Sequence, residues 1–75
     1  MISAPYPLEL AERGLAIDPL NETFWRIALE AESALGLRAA VTGRYEELAR
    51  VLDERLGLTP SRETRVLYRW LLEQN

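Results

Sequence analysis

Twelve acidic residues and nine arginines are the side chains in this 75-residue chain that could act on a substrate by charge. Three carboxylate pairs stand out: Glu30 with Glu32, Glu46 with Glu47, and Asp53 with Glu54. Paired carboxylates suit general acid–base chemistry. Residues one or two apart on a helix do not face each other, however, so these read as solvated faces. Arg62, Arg65 and Arg69 share one side of a helix and could grip an acidic partner. Glu63 and Glu73 dilute that patch, and it too reads as a solvated face. The chain has no His and no Cys, which excludes zinc sites on imidazole or thiolate, Cys nucleophiles, disulfides and His bases. No Gly-rich phosphate loop or nucleophile–base pair is present. The expectation is a protein that is not an enzyme and carries no cofactor or metal.

Apolar side chains suit binding better. Trp70 and Val66 lie four residues apart on the last helix, on a shoulder pointing away from its Leu67–Leu71 centre. Tryptophan is enriched at interface hot spots, so Trp70 is the first candidate for partner contact, with Val66 beside it. Leu10 and Ile17 lie on a face of the first helix that nothing in the chain covers. That face is either an interaction site or a result of where the chain begins. Trp25 and Tyr45 read as core between two helices.

These residues need helices to hold them, and helical periodicity runs through nearly everything after Pro7. Leu8, Ala11 and Leu15 share one face of a first helix over about 8–17, which Gly14 weakens by roughly 1 kcal/mol. Asp18-Pro19 reads as the start of a second helix over 19–35. Its predicted stripe is Phe24, Ala28, Ala31 and Leu35, with Ile27 and Ala34 beside it, and Gly36 stops it. A short connection makes a third helix, 38–56, its antiparallel neighbour. That helix presents Val41, Tyr45, Leu48, Leu52 and Leu56, with Glu46, Arg50 and Glu54 toward water. Gly57 closes it, and Leu58 can fold back on Leu52. Ala39 and Gly43 suit close approach by another helix. Thr59-Pro60-Ser61 leads into a fourth helix, 61–73, with Thr64 and Tyr68 on the shoulder opposite Val66 and Trp70. Residues 1–7 read as a loose lead-in and 8–74 as one domain.

The composition is 48% hydrophobic and 28% charged, which suits a folded domain. A net charge of −3 argues against a duplex-binding module, whose affinity comes from a basic face. No apolar run reaches the roughly 20 residues that span a bilayer.

Helices two and three resemble a tetratricopeptide hairpin, with Trp25 and Tyr45 about 20 residues apart, Gly36 at the turn, and Ala39 and Ala40 at the crossing. The segments Asp18-Pro19-Leu20-Asn21-Glu22, Arg44-Tyr45-Glu46-Glu47-Leu48, Leu56-Gly57-Leu58-Thr59-Pro60-Ser61 and Glu63-Thr64-Arg65-Val66-Leu67-Tyr68 resemble a narrower family. They are similar to the bacterial transcriptional activator domain of the Streptomyces antibiotic regulatory protein family, over residues 8–72. The resemblance implies the C-terminal portion of a regulator's helical domain: one helix of an earlier hairpin, one complete hairpin and a closing helix.

The sequence therefore predicts an all-α, tetratricopeptide-like fold of about four antiparallel helices. It also predicts a non-catalytic interaction module of a bacterial transcriptional regulator or signalling protein, in the cytoplasm. Its partner would be a protein: another domain of the parent, a separate protein or a second copy in a homodimer. No nucleic-acid contact or membrane insertion is expected. The alternatives are a DNA-binding helix-turn-helix domain and a structural terminal cap of a larger membrane-associated protein.

Overall fold

A computed structural model describes residues 7–74, and these form four α-helices with no strand among them. They are α1 (Pro7–Ile17), α2 (Glu22–Ala34), α3 (Arg38–Leu56) and α4 (Arg62–Glu73). The fold is all-α, with successive helices running back against one another. Of the lead-in expected over 1–7, residues 1–6 lie outside the described residues. Pro7 itself opens α1, where a missing N–H costs nothing and a fixed φ is already helical.

The start of α2 differs from the expected Asp18-Pro19. The Asp18 carbonyl accepts from Asn21 N–H at 3.1 Å, closing a turn with Pro19 at its second position. Asn21 is the cap instead: its backbone is extended and its side chain accepts from Thr23 N–H at 3.0 Å. The Pro19 carbonyl accepts from the Trp25 indole N–H at 2.8 Å, so the turn is pinned to the helix it precedes. At the other end Gly36 takes a left-handed φ of 77°. Gly36 N–H reaches the Ser33 carbonyl and Leu37 N–H the Glu32 carbonyl, both at 2.9 Å, a double closure that satisfies carbonyls the helix leaves free.

α2 packs against all three other helices, and this explains why a one-stripe reading of it fell short. Its buried residues are Trp25, Ala28, Leu29, Ala31 and Glu32, which span well over one face, while Leu35 beyond its end is exposed. Trp25 packs with Leu48 and Leu52, Leu15 and Leu20 closing around them. Leu29 packs with Val41 and Leu71, with Tyr45, Leu67 and Tyr68 around them. On α3 the expected stripe holds through Leu52, but Leu56 is exposed. Leu58 returns only through its backbone, donating to the Leu52 carbonyl at 3.3 Å, and its side chain is exposed.

Two glycines reverse their expected roles. A Cβ on Gly14 would lie 2.6 Å from the Phe24 ring, so this glycine lets α1 and α2 close up. Gly43 has open space around the same position, and both it and Ala39 are exposed, so no helix approaches there. Gly43→Ala should therefore raise stability by about 0.5–1 kcal/mol, because alanine restricts the unfolded chain and suits a helix interior. Thermal denaturation followed by circular dichroism checks this, and a lower midpoint would show that the site needs its missing side chain.

Glu32 also departs from expectation. It is no solvated carboxylate: only 5% of it is exposed. Arg44 Nε donates to Glu32 Oε1 at 2.9 Å and Nη2 to Oε2 at 2.7 Å, and Nη2 also meets Glu12 Oε2 at 3.1 Å. This tie joins α1, α2 and α3, and the hydrogen bonds that Arg44 donates to Glu32 hold its guanidinium above the ordinary arginine range. On the outer face of α3, Arg50 pairs with Glu54 at 3.4 Å and Glu47 at 3.7 Å.

Candidate interaction surfaces

The placement of Val66 and Trp70 begins at the N-terminus of α4. Ser61 caps it, accepting from Thr64 N–H at 3.3 Å. The Glu22 carboxylate, in the first turn of α2, accepts from Ser61 N–H at 3.1 Å and from the Thr64 hydroxyl at 2.7 Å. Thr64 Oγ1 in turn accepts from Arg26 Nη1 at 2.9 Å and from Ser61 Oγ at 3.2 Å. A hydroxyl has one proton to give and two lone pairs, and this fully buried Thr64 uses all three. The N-terminal turns of α2 and α4 are thus fastened by charge-assisted hydrogen bonds.

Further along α4, Leu67 and Leu71 join the Leu29 cluster. Tyr68 stacks on Tyr45 with ring centroids 3.9 Å apart and planes 2° from parallel. Burial pushes the Tyr45 phenol above its ordinary range, with Arg65 opposing and Tyr68 adding to it. Tyr45 therefore packs between α3 and α4 as well as within the hairpin, whereas Trp25 is buried against Leu48 and Leu52 of α3, as expected, with Leu15 of α1 beside it.

With α4 fixed in this way, its outer shoulder borders an open groove of about 570 Å³ against α2. Ile27, Val66, Leu67 and Trp70 form its apolar walls, with Glu30 and Glu63 among its charged residues. Trp70 is 54% and Val66 50% exposed. Arg26 lies on the same groove but is committed to Thr64, Thr23 and, at 3.7 Å, Glu63. The arrangement can receive an apolar side chain inside an acidic rim.

Leu10 and Ile17 stand apart from this groove on α1, 63% and 86% exposed. A second cavity of about 440 Å³ opens between the start of α1 and the end of α2, where Leu8, Ala31, Ala34 and Leu35 meet. Leu10 and Ile17 border neither cavity. The structure thus brings two of the four candidate residues together and leaves the other two on a separate face. Ile27 and Glu30 were missed as groove residues. The i, i+4, i+7 spacing of Thr23, Ile27 and Glu30 carried the signal, but a single-stripe reading of α2 hid it. Among the described residues no group of three or more Asp or Glu is placed to hold a metal ion, and no helix is long and apolar enough to cross a membrane.

The stretch that forms these four helices has a known counterpart: the family model of the bacterial transcriptional activator domain matches residues 7–72. The chain belongs to that family. The match extends from the first residue of α1 to within one residue of the end of α4, so every helix described above is part of the bacterial transcriptional activator domain. Membership makes the chain a module of a bacterial transcriptional regulator. Neither the curated proteins nor the solved structures contain a match to it.

Proposed function

We propose that this bacterial transcriptional activator domain is a non-catalytic, cytoplasmic protein–protein interaction module that engages its partner through the α2–α4 groove. One observation carries the reading: a half-exposed Trp70, with Val66 beside it, stands on a groove whose two helices are locked together beneath it. Rigid aromatic side chains bordering a concave apolar surface are the usual anchors of protein interfaces, because little freedom is lost when they are covered. Leu10 and Ile17 offer a second apolar contact on the far side of α1. The net charge of −3, and the commitment of Arg26 and Arg44 to internal partners, count against direct DNA contact.

A transcription reporter in which the chain is carried by an unrelated DNA-binding domain tests this. Trp70→Ala should leave helicity unchanged and cut partner-dependent output roughly 30-fold, the effect of losing one interface hot spot. Unchanged output with unchanged helicity would remove the groove as the contact site. Salt-sensitive retardation of random duplex DNA by the isolated chain would favour the DNA-binding reading instead.

A further inference from the structure

The outward face of α4 is complementary to itself, and we infer that the groove's occupant is a second copy of this chain, paired through antiparallel α4 helices. At 3.6 residues per turn, Arg62, Glu73, Val66 and Trp70 fall within an arc of about 80°, opposite the buried Thr64 and Leu71. All four are exposed. Read along the helix, the face carries a base at its start, two apolar side chains in the middle and an acid at its end. A two-fold axis near Tyr68 sets Val66 of each copy opposite Trp70 of the other. The same register brings Arg62 to within about one residue, ~1.5 Å of axial offset, of the second copy's Glu73. The Val66–Trp70 contact and the Arg62–Glu73 ion pair each form twice, as a closed two-fold interface requires.

The groove supplies the second part of the argument. Val66 forms one of its walls, so a Trp70 aimed at Val66 from the second copy enters the space between Ile27, Val66 and Leu67. Each copy gives an indole and receives one. Arg69, exposed on the edge of the stripe away from Trp70, lies near the two-fold axis and turns to solvent, clear of its counterpart. The reverse, parallel pairing would set Arg62 against Arg62 and Glu73 against Glu73, which like charges oppose. This inference rests on the groove reading above and goes further by naming the occupant.

Charge exchange tests it without endangering the fold. Arg62→Glu puts an acid at the N-terminus of α4 and Glu73→Arg a base at its C-terminus, and both suit the helix dipole. The first variant has acid at both ends of the face and the second has base at both. In sedimentation equilibrium the unaltered chain should dimerise, and each variant alone should dimerise at least about tenfold more weakly. An equimolar mixture of the two should recover the dimer as a mixed pair. A chain that stays monomeric at every concentration, or variants that self-associate like the unaltered chain, would overturn the pairing. If Trp70→Ala still abolishes reporter output while the chain is monomeric, another protein fills the groove: the inference falls and the functional reading stands. If reporter output also survives Trp70→Ala, both fall.

Discussion

Arg44→Met is expected to destabilise the domain by about 3–5 kcal/mol, the cost of leaving a buried carboxylate without its partner. A 75-residue domain has only about 4–11 kcal/mol of total stability, so the loss removes a large share of it and lowers the unfolding midpoint strongly. The cause is local. Glu32 is buried between α2 and α3, and both of its oxygens are bonded to Arg44 at 2.9 and 2.7 Å. Methionine keeps most of the aliphatic length but neither donor. Replacing both partners is a different matter, because an apolar pair of similar volume carries no buried charge. The double variant Glu32→Leu with Arg44→Met should recover most of the loss, and Glu32→Leu alone should cost less than Arg44→Met. Urea denaturation of the three variants measures the coupling directly. Purely additive losses would show that the two side chains contribute independently and that the pair is not a unit.

Leu29→Ala is expected to cost about 2–5 kcal/mol. Leu29 is fully buried and touches Val41 of α3 and Leu71 of α4, so its side chain fills the space where three helices meet. Collapse into the resulting cavity is blocked from two directions. α4 is fastened by the Glu22–Thr64–Arg26 hydrogen bonds, and α3 by the Glu32–Arg44 pair. The loss should therefore fall toward the upper end of that range. Leu35→Ala is the matched control, because Leu35 is exposed and its truncation should stay within about 0.5 kcal/mol. A Leu29 loss as small as that of Leu35 would mean that the core repacks freely and that α4 is not rigidly seated.

Element order and type were legible because periodicity and punctuation agreed. α3 has the span its stripe predicted, and Ser61 with Gly36 and Gly57 marked real ends. The start of α2 was not legible, because Asp18-Pro19 and Asn21 are both good starting signals. The Asn21 side chain, accepting from Thr23 N–H, marks the one that is used, and the Trp25 indole pins the turn before it through the Pro19 carbonyl. Burial on α2 was misjudged for a related reason. A stripe assumes one neighbour, and a helix with three neighbours buries positions such as Glu32 that look solvated in isolation. The partner of Glu32 lies 12 residues away on another helix, and no local spacing pairs them. Gly14 and Gly43 carry the same lesson: one touches a ring from α2 and the other touches nothing, a difference that only the packed helices reveal. On the groove, Val66 and Trp70 were readable from their own helix, whereas Ile27 and Glu30 were hidden on the helix facing them.

The central position of α2 gives the domain an uneven resistance to opening. α1 lies against α2 and reaches α3 only through side chains such as Glu12, paired with Arg44. α4 is held by α2 and α3 together, through a hydrogen-bonded knot at one end and a stacked tyrosine pair in its middle. Peeling should therefore begin at the N-terminal end, with α1 lifting away while the other three helices stay closed. Amide protons of α1 would then exchange fastest and those of α2 around Leu29 slowest. A protease would find its first cut near the Asp18–Asn21 turn, long before it reached the helices that build the groove.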